Sequence, residues 1–351
     1  MEQGALHYVF GPVLSGRLGR SLGLDLLGER ICSMNCVYCE SGQLEHLTLD
    51  RASYVSTQVL LAELRAWEAD RARRGDPLPD VVTLGGRGEP TLNSDMPEII
   101  RGARTILPGV PVAVLTNASL MTDPAVRAEL AQADMVLPNM DSLVPEEFAR
   151  VNRGHPSLDP TSVAEGILAF RRASRAKIFL EVLLVAGVND STRNLELLAN
   201  YCARLRPDRV DVVTLSRPGA EIWARPVDKD VLALWRARLG PLAASTSGAG
   251  PEAGADNPAG LAGRGEKRQE QSGGMTRDEV RASILASLSR RPQTAAQLAS
   301  ALFASADDVE LALSELLTQG LAEKVRQDGG QTDGQAVRAG TDGAVFYQAR
   351  G

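Results

Sequence analysis

Three cysteines fall within eight residues of the stretch ICSMNCVYCE, in the spacing C-x-x-x-C-x-x-C: Cys32, Cys36 and Cys39. Thiolates are soft ligands that suit zinc and iron–sulfur clusters. A structural zinc site closes a tetrahedron and needs a fourth ligand. His46 and Cys202 are the candidates, and neither has finger-like spacing. Cys202 lies in the helical pattern NLELLANYCARL, where a cysteine acts as a small buried apolar residue. Three thiolates without a fourth suit a 4Fe–4S cluster with one iron left open to a further ligand. A zinc-stabilised scaffold is the rival reading; metal analysis finding zinc and no sulfide would support it.

Further candidates lie where apolar runs end. VVTLGGRGEPTLN carries Gly86, Gly88 and Glu89 in a Gly-rich turn, which lets backbone approach a ligand closely. The bland alternative is an ordinary strand-to-helix turn. VLTNASL ends on Thr116 and Asn117, and VLPNMDS on Asn139, Asp141 and Ser142, the latter also a plausible helix cap. FARVNRGHP adds Asn152, Arg153 and His155, and VTLSRPGAE adds Arg217 and Glu221.

The elements that must position these groups follow from periodicity. Six short apolar runs (GLDLL, DVVTLG, VPVAVLT, DMVLPNM, KIFLEVLLV and DRVDVVTLS) alternate with amphipathic helical patterns such as STQVLLAELRAWEADRARR and TRNLELLANYCARL. Each helical pattern starts near a Ser, Thr, Asp or Asn able to cap it. Strands alternating with helices predict a parallel sheet of right-handed βαβ units, here an α/β partial (βα)6 barrel. In barrels, chemistry sits at the C-terminal ends of the strands.

With an aromatic, Tyr38, before the last cysteine, the cysteine motif resembles the signature of the radical S-adenosylmethionine (SAM) superfamily. It follows the first candidate strand, as it does in that family. The resemblance implies a 4Fe–4S cluster on Cys32, Cys36 and Cys39, with the open iron chelating the methionine part of SAM. It implies an enzyme of oxidoreductase or transferase type: reductive cleavage of SAM gives a 5′-deoxyadenosyl radical that abstracts hydrogen from a tRNA base, a peptide or a small metabolite. The Gly-rich turn is similar to the family's segment that supports the methionine amino group, so Gly86, Gly88 and Glu89 carry over. Tyr38 would flank adenine, Asn117 and Asp141 would approach the nucleoside, and Arg153 would pair with a carboxylate of SAM or substrate. A flavodoxin or ferredoxin is the implied electron donor.

The stretch VFGPVLSGRLGRSLGLDLL resembles the start of one branch, the Fe–S oxidoreductases grouped with wyosine-type tRNA synthases. That likeness runs from about Val9 to Glu221. The sequence departs from the branch at Gly16, where an arginine is usual, at Asn139-Met140-Asp141 and at Gly154. Lysine occurs four times in the chain, which leaves few candidates for Schiff-base chemistry.

Net charge is −6, so no global basic field draws the chain to nucleic acid or anionic membrane. No apolar run is long enough to span a bilayer, and the N-terminus lacks a signal-peptide pattern. A cytoplasmic protein is expected. Residues 1–240 hold the barrel; 241–274, rich in Gly, Ala, Ser and Pro, predict a flexible linker; 275–351 predict three helices and a hairpin, a small α+β winged-helix-like domain. Its third helix, SADDVELALSELLTQG, is acidic, which points to docking a protein or presenting substrate, tRNA among the options, more than to duplex DNA. The alternative from another class is an Fe–S redox sensor that regulates through this domain.

Overall fold

The computed structural model describes residues 6–240, 277–289, 292–302, 304–326 and 345–350. β1 (Val9–Ser15) and β2 (Gly19–Asp25) form an antiparallel pair. β3 (Ile31–Cys32) and β4 (His46–Leu47) pair with each other and bracket a loop that holds Cys36 and Cys39. The chain then alternates through α1 (Thr57–Arg74), β5 (Val81–Gly85), α2 (Met96–Ile106), β6 (Val112–Thr116), α3 (Pro124–Leu130), β7 (Met135–Pro138), α4 (Pro145–Val151), α5 (Pro160–Ala173), β8 (Lys177–Leu184), α6 (Thr192–Leu205), β9 (Arg209–Thr214) and α7 (Lys229–Leu239).

The sheet order is β1-β2-β5-β6-β7-β8-β9, and every pairing from β2 onward is parallel. This is the partial (βα)6 barrel expected from the alternation of strands and helices. Parallel strands run the same way only if a crossover returns the chain each time, and the helices are those crossovers. Side-chain acceptors start them: Ser56 for α1, Asp123 for α3, Asp159 for α5 and Ser191 for α6 each accept a backbone N–H of the first turn. β1 is the departure, an antiparallel edge that strand–helix alternation does not announce.

The strand period of two divides the molecule into an outer core and a lined interior. On β8, Ile178, Leu180, Val182 and Leu184 are fully buried toward the helices, while Phe179, Glu181 and Leu183 take the opposite face. The outer core joins Leu22 and Leu24 to Leu60, Ile100, Phe170 and Leu198. A smaller cluster of Val81, Ala113 and Leu137, with Leu115 and Phe179 against it, fills the other face of the sheet. At the strands' N-terminal ends the turn between β1 and β2 reaches the far edge: Arg17 pairs with Glu181 of β8, and Arg209 of β9 donates to the Arg17 carbonyl at 3.2 Å. Arg209 lies over the Phe179 ring, 4.1 Å from its centroid.

Later in the chain come α8 (Arg277–Leu288), α9 (Ala295–Leu302), α10 (Ala306–Thr318), β10 (Ala322–Arg326) and β11 (Val345–Ala349). β10 and β11 pair antiparallel. These elements share their own core, with Val280, Ile284, Leu298, Val309, Leu313 and Leu316. α9 lies against β1. The expected linker, residues 241–274, lies outside the described residues. Among the described residues no helix is long and apolar enough to cross a membrane.

Phe170 of α5 is fully buried in the outer core. Phe170→Ala should cost about 3–5 kcal/mol of stability, read from denaturant unfolding followed by circular dichroism.

Candidate active site

The parallel register aims the C-terminal ends of β2, β5, β6, β7, β8 and β9 at one rim, and the cysteine loop lies across it. The loop turns on itself through Cys39 N–H to Cys36 carbonyl (3.1 Å) and Gly42 N–H to Cys39 carbonyl (3.2 Å). Distant segments hold it. Glu89 N–H donates to the Ile31 carbonyl at 3.1 Å, Val37 N–H to the Val151 carbonyl at 3.0 Å, His155 N–H to the Ser33 carbonyl at 2.9 Å and Glu221 N–H to the Val37 carbonyl at 3.0 Å. The hydroxyls of Ser33 and Ser119 meet at 2.6 Å, and Arg217 donates to Glu40 at 3.1 Å. The loops after β5, β6, α4 and β9 therefore fix the positions of the thiols.

Cys32, Cys36 and Cys39 form no disulfide, and all three line a bowl of about 210 Å³. Gly85 to Glu89, Asn117 and Asn139 line the same bowl. Among the described residues no three His, Cys, Asp or Glu side chains converge where a single metal ion could be held. The three thiols share one cavity lining. Burial pushes the Cys32 thiol up to about 12, with the charge of Glu89 adding to the effect. Burial raises Cys36 well above its ordinary value, helped by Asp141, and raises Cys39 as well. Thiolates form here only when a cationic group arrives to hold them, which is how metal sites release protons on loading.

Gly86 and Gly88 of this turn pack against neighbouring protein with no room for a side chain. A Cβ on Gly88 would lie 1.8 Å from the Ile31 carbonyl oxygen, and Gly86 has φ +133°, a conformation L residues avoid. Three free thiols in one lining fit an iron–sulfur cluster.

The structure distributes the sequence candidates unequally. Gly86, Gly88 and Asn117 line the bowl, as does Tyr38, whose hydroxyl donates to Asp141 Oδ2 at 2.5 Å. Glu89 borders the bowl, yet its carboxylate is occupied. Oε1 accepts from Thr91 N–H (3.1 Å), Thr91 Oγ1 (2.6 Å) and Thr116 Oγ1 (2.6 Å), and Oε2 accepts from Asn117 N–H (2.7 Å). Burial raises its pKa, and these donors pull it back.

Two of the candidates lie outside the bowl lining. Asp141 is only 1 % exposed and does not line the bowl. Its carboxylate accepts from Tyr38, from Asn152 Nδ2 at 2.7 Å and from Leu183 N–H at 2.9 Å, so it stands behind the wall and has no free edge for a ribose. Arg153 is also outside the lining. It is paired with Glu221 and lies 5.8 Å from the Trp223 ring centroid, because the loop after β9 brings a carboxylate to it. Of the other candidates, Asn139 lines the bowl and donates to Glu181 at 3.3 Å, while Ser142 is buried against Glu147 and the Val144 carbonyl.

Periodicity gave no reason to single out Ser33, Ser119 or Arg87. Arg87 was visible inside the GGRGEP turn; the two serines carried no signal.

The profile of the Radical SAM superfamily matches residues 29–198. A UPF0026 protein of Helicobacter pylori is 36% identical over 222 residues, covering 63% of this chain and 70% of that protein. A UPF0026 protein of Synechocystis is 37% identical over 216 residues, covering 60% and 76%. A Brachyspira hyodysenteriae protein named GTPase Obg is 34% identical over 209 residues; the match covers 60% of this chain but only 30% of that longer protein. Among solved structures, a radical SAM methyltransferase from Sphaerobacter thermophilus superposes with a TM-score of 0.49 at 17% identity, covering 62% of each chain. With the family profile matched and UPF0026 relatives at 36% and 37% identity, the chain belongs to the radical SAM superfamily.

Proposed function

We propose that this chain is a radical SAM enzyme that holds a 4Fe–4S cluster on Cys32, Cys36 and Cys39 and binds SAM against the glycine wall. When bound, the cluster supplies the electron for reductive cleavage of SAM, the source of the radical that abstracts hydrogen from substrate. The observation that carries this reading is the bowl itself, whose lining holds three thiols together with the Gly85–Glu89 turn. Carbonyl groups of the Gly85–Glu89 turn suit the ammonium of a methionine moiety. Glu89 acts as a positioning group, since its oxygens are taken by Thr91, Thr116 and Asn117. Tyr38 flanks the bowl with its ring held by Asp141.

The chain is read as a barrel over residues 1–240, a linker over 241–274 and a winged-helix-like domain over 275–351 that docks a protein or presents substrate. The first turn of α10 carries Asp307 and Asp308, which disfavours a phosphate backbone. A flavodoxin or ferredoxin in the cytoplasm is the electron donor of this reading.

Electron paramagnetic resonance of the anaerobically reconstituted, reduced chain tests it. A 4Fe–4S signal that changes on adding SAM is expected. A signal indifferent to SAM favours a redox sensor, and zinc without sulfide favours a scaffold. Cys36→Ser should remove the signal and lower bound iron and sulfide. Gly88→Ala places a methyl against the Ile31 carbonyl. It should weaken SAM binding at least tenfold, about 1.4 kcal/mol or more, in equilibrium dialysis of the loaded protein.

A further inference from the structure

We infer that Asn117 and Asn152 are positioning residues for the cluster ligands: their side-chain amides donate N–H···S hydrogen bonds to Cys32 and Cys36 and so set how readily the cluster accepts an electron. The inference rests on the iron–sulfur reading above.

Asn117 Nδ2 lies 3.4 Å from Cys32 Sγ, and Asn152 Nδ2 lies 3.5 Å from Cys36 Sγ. These are hydrogen-bonding distances for the larger sulfur atom. The two asparagines come from separate segments, one at the end of β6 and one just past α4.

The orientation of each amide follows from its other partners. Asn117 Oδ1 accepts Ser119 N–H at 3.0 Å, which turns Nδ2 toward Ser33 and Cys32. Asn152 Nδ2 donates to the Asp141 carboxylate at 2.7 Å; the flipped amide would set its oxygen against that carboxylate. Both amides therefore present N–H to sulfur.

Each asparagine is in turn held by a buried carboxylate. Glu89 Oε2 accepts Asn117 N–H at 2.7 Å, and Asp141 Oδ2 accepts Asn152 Nδ2. Asn152 is 3 % exposed, and its Oδ1 has no hydrogen-bond partner. A buried acceptor left unmatched costs free energy that an apolar residue of the same shape would not. The donors of this amide, to Cys36 and to Asp141, are what it contributes at that position.

An N–H dipole aimed at a thiolate sulfur stabilises the added negative charge of a reduced cluster and raises its reduction potential. Removing it should shift the potential negative without removing a ligand.

The test is a redox titration of the full, anaerobically reconstituted chain, monitored by electron paramagnetic resonance without SAM. Asn117→Leu and Asn152→Leu should each keep wild-type iron and sulfide content and shift the midpoint to more negative potential. The double variant should shift further, since the sulfurs differ. Midpoints unmoved in both loaded variants overturn the inference.

Asn152→Leu also takes a donor from Asp141, so a second measurement uses the unsubstituted chain with asparagine side-chain amides labelled with nitrogen-15. Coupling of that nitrogen to the reduced cluster in electron–nuclear double resonance supports the inference, and its absence overturns it. A wild-type chain that takes up no iron and sulfide overturns the cluster reading and this inference together; a loaded chain without shift or coupling overturns only the inference.

Discussion

A carboxylate held out of water must be surrounded by donors, and the Glu89 carboxylate organises the rim on that basis. Its two oxygens accept from Thr91, Thr116 and Asn117, while its own backbone N–H reaches the Ile31 carbonyl. One buried side chain thus ties the turn after β5 to the end of β6, and its backbone ties both to the strand that carries Cys32. Leaving such a buried group unmatched would cost free energy, so these bonds hold the segments to one another. Gly88 permits the arrangement, because any Cβ there would collide with the carbonyl that receives the Glu89 N–H.

Asp141 performs the same service on the opposite flank. It collects Tyr38 from the cysteine loop, Asn152 from the end of α4 and the backbone of Leu183 on β8. The loop after β9 closes the circuit through Glu221 N–H to the Val37 carbonyl and through Arg217 to Glu40. The thiols are consequently pre-positioned by strands and helices that are themselves fully packed, which is what a ligand set needs to hold a bulky group without rearrangement.

The electrostatics of the bowl follow from the same two carboxylates. Burial, Glu89 and Asp141 all disfavour thiolates at Cys32 and Cys36. Arg30 and Arg87 also line the bowl, so both signs of charge meet there.

Much of this was legible in the residues. The spacing of Cys32, Cys36 and Cys39 is local, so the chemistry it suits is legible without a fold. The six strand–helix units are also local, since periods of two and of 3.6 are written in the order of apolar residues. The Gly86-Arg87-Gly88 turn belongs to the same class, because a backbone that must approach a neighbour has no use for a Cβ.

What the tertiary structure decided is which donor meets which acceptor. Asp141 looked free to face a ligand, yet three segments far apart in sequence supply its donors. Arg153 looked available, yet Glu221 is brought to it by the loop after β9. Asn152 carried no local signal of its bond to Cys36. β1 was hidden because an edge strand is defined by its neighbour and not by alternation with helices. The sequence determined the cysteine spacing and the barrel through local spacing and periodicity; the side chains that steady the cysteines were decided by the tertiary fold, because a hydrogen bond between distant segments exists only after the sheet has set them side by side.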